Sequence, residues 1–477
     1  MTTNPSAGPS FTRRGVLAAA GIAGATIAVA AATPAGAVET VAAASSIAAS
    51  NRPGRDPLVG PLTDFLQTMT DAYPALPPGP RLPQSYADEL GLFSTAFIYD
   101  SALAVCAAIA AGRRGLATSI ADGIVFAQAN DPVYDDGRLR QGYNVGPYTF
   151  YDGSVNAHGL VLPDGTANIG FQFGFLGTAV GDMAWPGIAL AQASLVTGRR
   201  DYLEAAKRIG RWIIDRATNP GTLGGFSFGV NGADASIPNC STEHNIDCTS
   251  FFGMLATLDR RDRSWRAAAD RARAFVERVW EPTGGYFYTG SNDGSTINRT
   301  PLPLDPQAWS WLALRDRRYA GALDWAASNL ATTDRPDGAN SQLPAGVELS
   351  GVTFSSASLT STASYNGIPV APNGVWLEGT AQLVSALRDR GARGDRATAD
   401  RLQSAVTTAV GSLGAGQRVG GAEIAPRGVV AASSLLDSGF GFGYFQIQHV
   451  GATAWSVMAA AFANPMQLGG LLRGKRF

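Results

Sequence analysis

The chain is poor in the residues that build metal sites and has no excess of either charge. Its 477 residues include three cysteines and three histidines, and the formal net charge is −1. These cysteines and histidines do not have the spacing of zinc ligands, which argues against a zinc site. A net charge near zero argues against nucleic acid as a partner. The sequence therefore predicts no metal, no other cofactor and no nucleic-acid partner.

Long apolar runs are also scarce, and the one candidate lies at the N-terminus. Residues 12–17, Thr-Arg-Arg-Gly-Val-Leu, precede an Ala/Gly-rich run that ends with Ala35-Gly36-Ala37, a small-x-small cleavage site. This pattern is typical of a twin-arginine signal peptide, here residues 1–37. A membrane anchor is disfavoured because the run is short, and no later stretch is a candidate membrane span. We expect export by the twin-arginine machinery to a secreted or cell-envelope location, with a flexible linker over residues 38–56.

The chain does contain one sequence pattern that occurs six times. A polar or aromatic cluster runs directly into an apolar helix of small residues, at a period of roughly 55 to 85 residues. The six segments lie at residues 99–104, 182–190, 241–247, 304–309, 375–382 and 451–455. Such a period suits a helical hairpin plus one long loop, and six hairpins can close into a ring. The sequence predicts an all-α (α/α)6 toroid whose six inner helices start near residues 96, 182, 242, 305, 376 and 452.

The connections support this ring of six inner and six outer helices. Short arginine-rich turns follow the first five inner helices, and arginine at a helix C-terminus complements the macrodipole. The return loops are long and rich in Gly, Pro, Asn and aromatic residues, and they cover residues 131–181, 219–241, 281–304, 332–374 and 414–450. All the long loops should therefore lie at the N-terminal ends of the inner helices, where long loops are often functional.

The last inner helix lacks an outer partner that follows it in sequence. The N-terminal helix, predicted over residues 58–72, is expected to fill that place and close the ring. Every hairpin then contributes to one core, so residues 57–465 are predicted to form a single domain, and residues 466–477 are predicted to be a C-terminal tail.

The predicted mouth of the ring is rich in carboxylates, amides and aromatic rings. Arginines, which far outnumber lysines, are instead concentrated in the turns at the opposite end. Aromatic faces stack on sugar rings, amides and carboxylates bind hydroxyl groups, and a pair of carboxyl groups can split a glycosidic bond. A neutral carbohydrate is the expected substrate.

Residues 241–247, Ser-Thr-Glu-His-Asn-Ile-Asp, form the strongest candidate site. Glu243 and Asp247 are four residues apart and share one helix face. Two like charges on a buried face raise one pKa, which is one way to make a general acid. Helix capping alone explains Glu243, but it does not explain the crowding of His244, Asn245 and Asp247 beside it. We interpret Glu243 and Asp247 as catalytic, and His244 and Asn245 as substrate contacts.

Other inner helices carry single carboxylates at the equivalent place. Glu378 and Asp100 are the candidate catalytic partners of Glu243, whereas Asp305 and Asp182 could each be an ordinary helix cap. Each tryptophan near a helix start could be core instead, and a lone histidine is usually structural. With those alternatives open, the remaining candidate substrate contacts are Tyr99, Trp185, Asp305, Trp309, Trp376 and His449.

The motifs also carry a family resemblance. In order, Tyr-Asp-x-Ala-Leu-Ala, Ala-Trp-x-x-x-Ala-Leu, Ser-Thr-Glu-His-Asn-Ile-Asp, Leu-Asp-x-Gln-Ala-Trp and Trp-x-Glu-Gly-Thr-Ala-Gln resemble those of bacterial six-hairpin glycosidase-like proteins. The resemblance spans about residues 94–463 and implies an (α/α)6-barrel carbohydrate protein with its site at Asp100, Glu243, Asp247 and Glu378. It does not fix the reaction, because related toroids include hydrolases, lyases, epimerases and phosphorylases.

We expect an exported glycoside hydrolase that cleaves a neutral poly- or oligosaccharide with inversion. Glu243 is the predicted general acid, and Asp100 or Glu378 is predicted to activate water. Two alternatives stay open: a polysaccharide lyase using His244 and Asn245, and a non-catalytic sugar-binding or cell-envelope protein. A disulfide between Cys240 and Cys248, which flank the 241–247 motif, is also left open, because spacing alone does not fix the geometry.

Overall fold

The computed structural model describes residues 56–88, 92–150, 153–170 and 176–472. Its inner helices are α2 (Ile98–Ala111), α4 (Val180–Thr197), α6 (Thr242–Leu258), α8 (Asp305–Leu314), α10 (Leu377–Arg390) and α12 (Val450–Ala460). Its outer helices are α1 (Val59–Thr70), α3 (Arg114–Ala129), α5 (Arg200–Ala217), α7 (Ser264–Arg278), α9 (Gly321–Asn329) and α11 (Asp395–Ser412). The predicted signal peptide and almost all of the predicted linker lie outside the described residues, so export stays a prediction.

The helices form the predicted (α/α)6 toroid. Each inner helix packs against the next one, and α12 packs against α2, which closes the ring. Helix α1 packs against α12 and is the missing outer partner, as predicted. The inner helices start at residues 98, 180, 242, 305, 377 and 450, each within two residues of its predicted start. Among the described helices, none is long and apolar enough to cross a membrane.

Small apolar residues explain why the inner helices tolerate complete burial. All 14 residues of α2 are buried, because alanines allow neighbouring helices to approach on every side. Outer helices instead bury one stripe, as in α5, where Tyr202, Ile209 and Ile213 face inward. Helices α2 and α4 end at Gly112 and Gly198 in the left-handed conformation that only glycine adopts without strain.

The long loops form a closed rim around the mouth. At the start of each inner helix, an early backbone N–H donates to a carbonyl of the loop that follows that hairpin, which satisfies a donor that the helix itself leaves unpaired. The rim bonds run from Ile98 to Gln141, Val180 to Phe228, Thr242 to Thr289, Leu304 to Phe354, Leu377 to Ala431 and Val450 to Ser85, at 2.7–3.2 Å. Because Ser85 precedes the first inner helix, the last bond completes the circle.

Short strands reinforce this rim and the loops beyond it, and the sequence did not predict them. In the described part of the chain, the antiparallel pairs are Thr95–Phe97 with Gly142–Asn144, Tyr148–Thr149 with Val155–Asn156, Thr178–Ala179 and Ser236–Ile237 with Gly229–Val230, Cys240–Ser241 and Ile297–Asn298 with Gly290–Ser291, Trp280–Glu281 with Tyr286–Phe287, Ala331–Asp334 with Leu349–Val352, Ser364–Tyr365 with Ile368–Pro369, Arg418–Val419 with Ala422–Glu423, and Leu436–Asp437 with Gly443–Tyr444. Each sheet has two or three strands, so the fold is still built by its helices.

The opposite end of the barrel is closed by the C-terminal segment. The Gln192 side chain on α4 donates to the carbonyls of Pro465 and Gln467, and the Ser250 hydroxyl on α6 donates to that of Met466. Leu471 is buried. Residues 466–472, predicted to be part of a tail, therefore pack as part of the domain.

Candidate active site

Carboxyl groups are gathered at the rim end of the barrel. Five of the six inner helices have an acidic residue in the first turn, and the sixth has a histidine as its N-cap; the six residues are Asp100, Asp182, Glu243, Asp305, Glu378 and His449. The ring of helices brings these residues to the same end of the barrel although they are far apart in sequence. All six are at most 5% exposed.

His449 lies between two of these carboxylates and bonds to one of them. Its Nε2 lies 3.0 Å from Asp100 Oδ2, and its Nδ1 lies 3.6 Å from Glu378 Oε2. The backbone N–H of Ala452 donates to Nδ1 at 3.2 Å, so Nδ1 carries the lone pair. The proton of the neutral ring therefore sits on Nε2 and is donated to Asp100. We refer to Asp100, His449 and Glu378 as the mouth triad.

The other oxygen of Glu378 is held from a different direction. The Tyr99 hydroxyl donates to Oε1 at 2.8 Å, and the Trp455 indole N–H donates to the Tyr99 oxygen at 3.2 Å. The Gln382 side chain also reaches Oε1, at 3.4 Å. Sequence reasoning missed Gln382, although its spacing of four from Glu378 places both side chains on one helix face. These bonds fix the orientation of the Glu378 carboxylate.

Tight packing surrounds the triad. The Tyr86 ring stacks on the His449 ring at 4.2 Å between centroids. A Cβ atom placed on Gly451 would lie 2.6 Å from Asp100 Oδ1 and 2.7 Å from His449 Cε1. Real Cβ atoms essentially never come that close, so the triad requires glycine at position 451.

The four candidate site residues of the 241–247 motif divide into one near the mouth and three that are fully buried. Glu243 is 4% exposed, whereas His244, Asn245 and Asp247 are 0% exposed. The Ser241 hydroxyl caps α6 by accepting from the backbone N–H of His244. Of the two predicted catalytic residues in this motif, Glu243 is the better placed to reach a substrate.

Asn245 binds the protein's own backbone. Its Nδ2 donates to the carbonyls of Phe226 and Ser241, and its Oδ1 accepts from the N–H of Phe226, at 2.8–3.0 Å. These bonds tie the 219–241 loop to α6. The His244 ring packs 5.0 Å from the Phe228 ring of the same loop. The geometry favours a structural role for Asn245 over the predicted substrate contact.

The tryptophans at the helix starts form a core on the axis rather than a ring of exposed platforms. Trp185, Trp309 and Trp455 contact one another with ring centroids 5.2–5.9 Å apart, and the Tyr99 ring lies 5.7 Å from that of Trp185. The three indoles are at most 1% exposed. We call these four residues the aromatic plug, because they fill the centre of the barrel beneath the carboxylates. Their burial favours the core interpretation over sugar stacking.

Trp376 faces a different part of the core. Its ring packs against Phe354 at 4.7 Å and Tyr444 at 5.6 Å. A Cβ on Gly379 would lie 2.1 Å from the Trp376 ring and 2.4 Å from Leu304. The glycine in this helix start therefore permits close packing of protein side chains, and it does not mark an approach of substrate.

The remaining two acidic residues at the mouth, Asp305 and Asp182, each lie in the first turn of a helix. Asp305 begins α8 immediately before Pro306, as expected of an ordinary N-terminus. The Asp182 carboxylate on α4 accepts from the Gln141 side chain at 3.2 Å. Both keep 4–5% exposure, like Tyr99 and Glu243. Within the described residues, no group of His, Cys, Asp and Glu side chains has the geometry of a metal site.

The two cysteines that flank the 241–247 motif are not joined by a disulfide. Cys240 lies in the short strand that pairs with Gly290–Ser291, whereas Cys248 lies within α6. Burial raises the pKa of the Cys240 thiol to about 12, so this residue is an inert, buried thiol at neutral pH.

Comparison with known structures finds the same fold in several carbohydrate-active proteins. A cellobiose 2-epimerase from Bacillus thermoamylovorans aligns with a TM-score of 0.53 and 12% identity, over 83% of this chain and 98% of that one. A family 76 glycoside hydrolase from a bovine Bacteroides thetaiotaomicron strain aligns with a TM-score of 0.52 and 9% identity, over 84% of this chain and 76% of that one. An alpha-amylase from Clostridium perfringens aligns with a TM-score of 0.51 and 8% identity, over 87% of this chain and 99% of that one.

Sequence comparison adds no closer relative: no protein-family model matches the chain, and no curated protein sequence matches it significantly. At identities of 8–12% the structural matches establish the fold, and the reaction has to be argued from the site.

Proposed function

We propose that this protein is a glycoside hydrolase that acts on a neutral saccharide by carboxylate acid–base catalysis, with inversion. The observation that carries the proposal is the presence of an acidic residue in the first turn of five different inner helices, at one end of the barrel. Hydrolysis of a glycosidic bond needs two such groups, one to protonate the leaving oxygen and one to activate water. A protein that only binds sugar needs no such set of acidic residues.

The proposed roles follow from how each carboxylate is held. Glu243 is the proposed general acid, because it reaches the mouth while its side chain remains 4% exposed. Glu378 is the proposed base, because Tyr99 and Gln382 orient one of its oxygens. Asp100 is fixed through His449 and is the second candidate for activating water. Burial strengthens every electrostatic interaction among these groups.

The lyase alternative receives less support from the site. A lyase that abstracts a proton beside a uronate needs cations to neutralise the sugar's carboxylate. Here Asn245 is engaged by backbone groups, and the buried arginines Arg138 and Arg140 are paired with aspartates of the loops. The mouth is dominated by carboxyl groups, which repel a uronate.

One observation favours a second enzymatic candidate, a sugar epimerase. Two of the three histidines, His244 and His449, lie at the rim ends of the third and sixth inner helices, on opposite sides of the ring. Epimerisation removes a proton from one face of a carbon and returns one to the other, which two opposed bases can do. Solvent deuterium incorporated into an uncleaved sugar would identify this activity.

The decisive experiment is a panel of neutral glycans assayed for reducing-end release, with parallel analysis for unsaturated products and for epimers. Glu243→Gln and Glu378→Gln should each lose at least about 10²-fold in rate while keeping the fold. Glu204→Gln, on the exposed surface of α5, is the matched control and should be fully active. NMR of the first anomer released tests inversion.

Several outcomes of the panel would contradict the proposal. Full activity in both site variants would contradict the assigned roles. Unsaturated products would favour the lyase. Binding of glycans without any turnover would favour the non-catalytic sugar-binding protein.

We also propose that the protein is exported by the twin-arginine route. The support is the Arg13-Arg14 pair, the apolar run and the Ala35-Gly36-Ala37 site. Replacing both arginines by lysine should retain the precursor in the cytoplasm. Processing and export of that variant at the wild-type level would contradict the proposal.

A further inference from the structure

We infer that the closed end of the barrel is a membrane-binding face that contacts the anionic headgroups of a phospholipid bilayer. This role is independent of the proposed hydrolysis, because the closed end and the carboxylates of the mouth lie at opposite ends of the barrel. Three features of the closed end support it: an excess of arginine, exposed apolar side chains and a strained aromatic residue.

The turns that connect inner to outer helices are strongly basic. All five lie at the closed end, because the inner helices run in the same direction around the ring. They contain fourteen arginines and six aspartates, and neither lysine nor glutamate. We call this surface the arginine face, and it comprises residues 112–115, 197–201, 259–264, 315–318 and 388–396. The net charge of −1 for the whole chain therefore combines a basic end with an acidic remainder.

The aspartates of the arginine face do not neutralise it. Each one forms an ion pair with a basic side chain, and the pairs are Asp201 with Arg199, Asp259 with Lys207, Asp262 with Arg211, Asp316 with Arg318, Asp389 with Arg315 and Asp395 with Arg390. Other arginines of the face are exposed and have no acidic partner within the part of the chain that the structure describes; they are Arg114, Arg200, Arg260, Arg261, Arg263, Arg317 and Arg393. Guanidinium groups bind phosphate through paired N–H donors, so a surface of closely spaced phosphates complements this face.

Exposed apolar side chains lie at the same end. Leu195, in the last turn of α4, is 44% exposed, and Phe462, two residues after α12, is 55% exposed. Leu195 lies beside Gly469 of the segment that closes the barrel, and Phe462 precedes that segment. Apolar side chains among cations are typical of proteins that lie on a membrane, because the apolar groups enter the acyl boundary while the cations stay with the headgroups.

Phe462 adopts a conformation that is unfavourable for its side chain. Its φ is +55°, in the left-handed region where bulky residues are rare. Its exposed ring packs under the Arg388 guanidinium, whose carbon lies 4.4 Å from the ring centroid. Strain at an exposed aromatic residue indicates binding rather than packing. This apolar component favours a bilayer over a soluble polyanion, which offers no apolar phase.

Co-sedimentation with vesicles tests the arginine face. We expect the full chain to bind vesicles of equal parts phosphatidylglycerol and phosphatidylcholine at least about tenfold more tightly than vesicles of phosphatidylcholine alone. This preference should hold in about 50 mM salt and be largely lost in about 500 mM. The double variant Arg260→Glu, Arg261→Glu should bind the anionic vesicles about tenfold more weakly or less. The N-terminal segment is common to all variants, so a difference between them reports on the closed end.

The matched control is the double variant Arg299→Glu, Arg418→Glu. It makes the same change of charge at two exposed positions in the long loops at the mouth, and it should keep wild-type vesicle binding. Glycan hydrolysis should be unchanged by the substitutions at the closed end, so failure of this inference and failure of the proposed function are separately visible.

Phe462→Gly separates binding from folding. We expect its binding to the anionic vesicles to fall at least about fivefold, because the apolar contact is lost. Its unfolding temperature should equal or exceed that of the wild type, because glycine adopts the left-handed conformation without strain. Binding of inorganic polyphosphate, a soluble polyanion, should be the same in this variant and the wild type.

Three results would overturn the membrane-binding face. The first is the absence of a salt-sensitive preference for anionic vesicles. The second is an equal loss of vesicle binding in the two charge-reversed double variants. The third is wild-type vesicle binding in Phe462→Gly, and tight binding of polyphosphate would then identify a soluble polyanion as the partner of the arginine face.

Discussion

His449 Nε2 lies 3.0 Å from Asp100 Oδ2, although the two residues are 349 positions apart in the chain. The bond joins the last inner helix to the first, exactly where the ring closes. The same imidazole faces Glu378 on its other side. One side chain thus bonds to one buried carboxylate and packs against a second from a different helix, so the accuracy of the site depends on the closure of the barrel.

The first prediction concerns this histidine. His449→Asn keeps an amide that can hydrogen-bond but removes the imidazole between the two carboxylates. We expect kcat to fall at least about 10²-fold with a smaller change in KM. The reason is that the substitution disturbs the positions of the carboxylates in the transition state more than it weakens sugar binding. A changed pH–rate profile would show that the carboxylates have been disturbed. The exposed His158→Asn is the control, and equal activity of the two variants would contradict the role of His449.

The second prediction uses two glycines within inner helices. Gly451→Ala places a methyl group 2.6 Å from Asp100 Oδ1, so we expect displaced carboxylates, activity lowered by about tenfold or more, and a stability loss of about 1–3 kcal/mol. Gly253→Ala in α6 is the matched control, because its Cβ would meet nothing within 4 Å. That change should be neutral or stabilise the fold by up to about 1 kcal/mol. Kinetics and thermal unfolding would separate the two effects, and wild-type kinetics in Gly451→Ala would contradict the packing argument.

The helical ring could be predicted from the sequence because its signals are local. A capping or acidic residue followed by small apolar residues sets a helix start within two positions, as at Thr242 and Asp305. Arginine-rich turns indicated which connections were short. Even the carboxylates of the mouth could be located, since a first-turn acidic residue at the start of five of the six inner helices lies at the same end of the barrel.

The surroundings of those carboxylates could not be predicted, because they depend on contacts between distant segments. The rim consists of backbone bonds such as that from Val450 to Ser85, which no side-chain pattern encodes. A tryptophan near a helix start can face the mouth or the axis, and the rotation of the helix decides which. Trp185 and Trp309 face the axis and meet each other there. The structural role of Asn245 depends on the fold of the preceding loop.

The third prediction tests the aromatic plug as core. Trp309→Ala removes a fully buried indole from contact with Trp185 and Trp455, and the resulting cavity should cost about 3–5 kcal/mol of unfolding free energy. Trp325→Ala, at a half-buried position on α9, is the comparison and should cost clearly less. Urea unfolding followed by circular dichroism measures both. A Trp309 variant that keeps its stability but loses sugar binding would instead favour the stacking role.

The final prediction is a pH dependence at the closed end of the barrel. Hydrogen bonds from Arg318 lower the pKa of Asp316 from 3.8 to about 2, despite an opposing effect of burial. A carboxylate with a lowered pKa in the folded state stabilises the fold fully above its unfolded pKa, and this contribution is lost as the pH falls from about 4 through about 2. The Arg318 side chain is largely exposed to solvent, so the effect should be about 0.5–1 kcal/mol. Asp316→Asn should therefore unfold at a lower temperature than the wild type at pH 7, and the difference should shrink steadily below pH 4.

Asp215→Asn, an exposed change on α5, is the control for loss of a negative charge. A difference between Asp316→Asn and the wild type that stays constant from pH 7 to pH 2.5 would show that the carboxylate's charge does not contribute, and that the substitution acts only through packing or through the cap that Asp316 provides for Arg318.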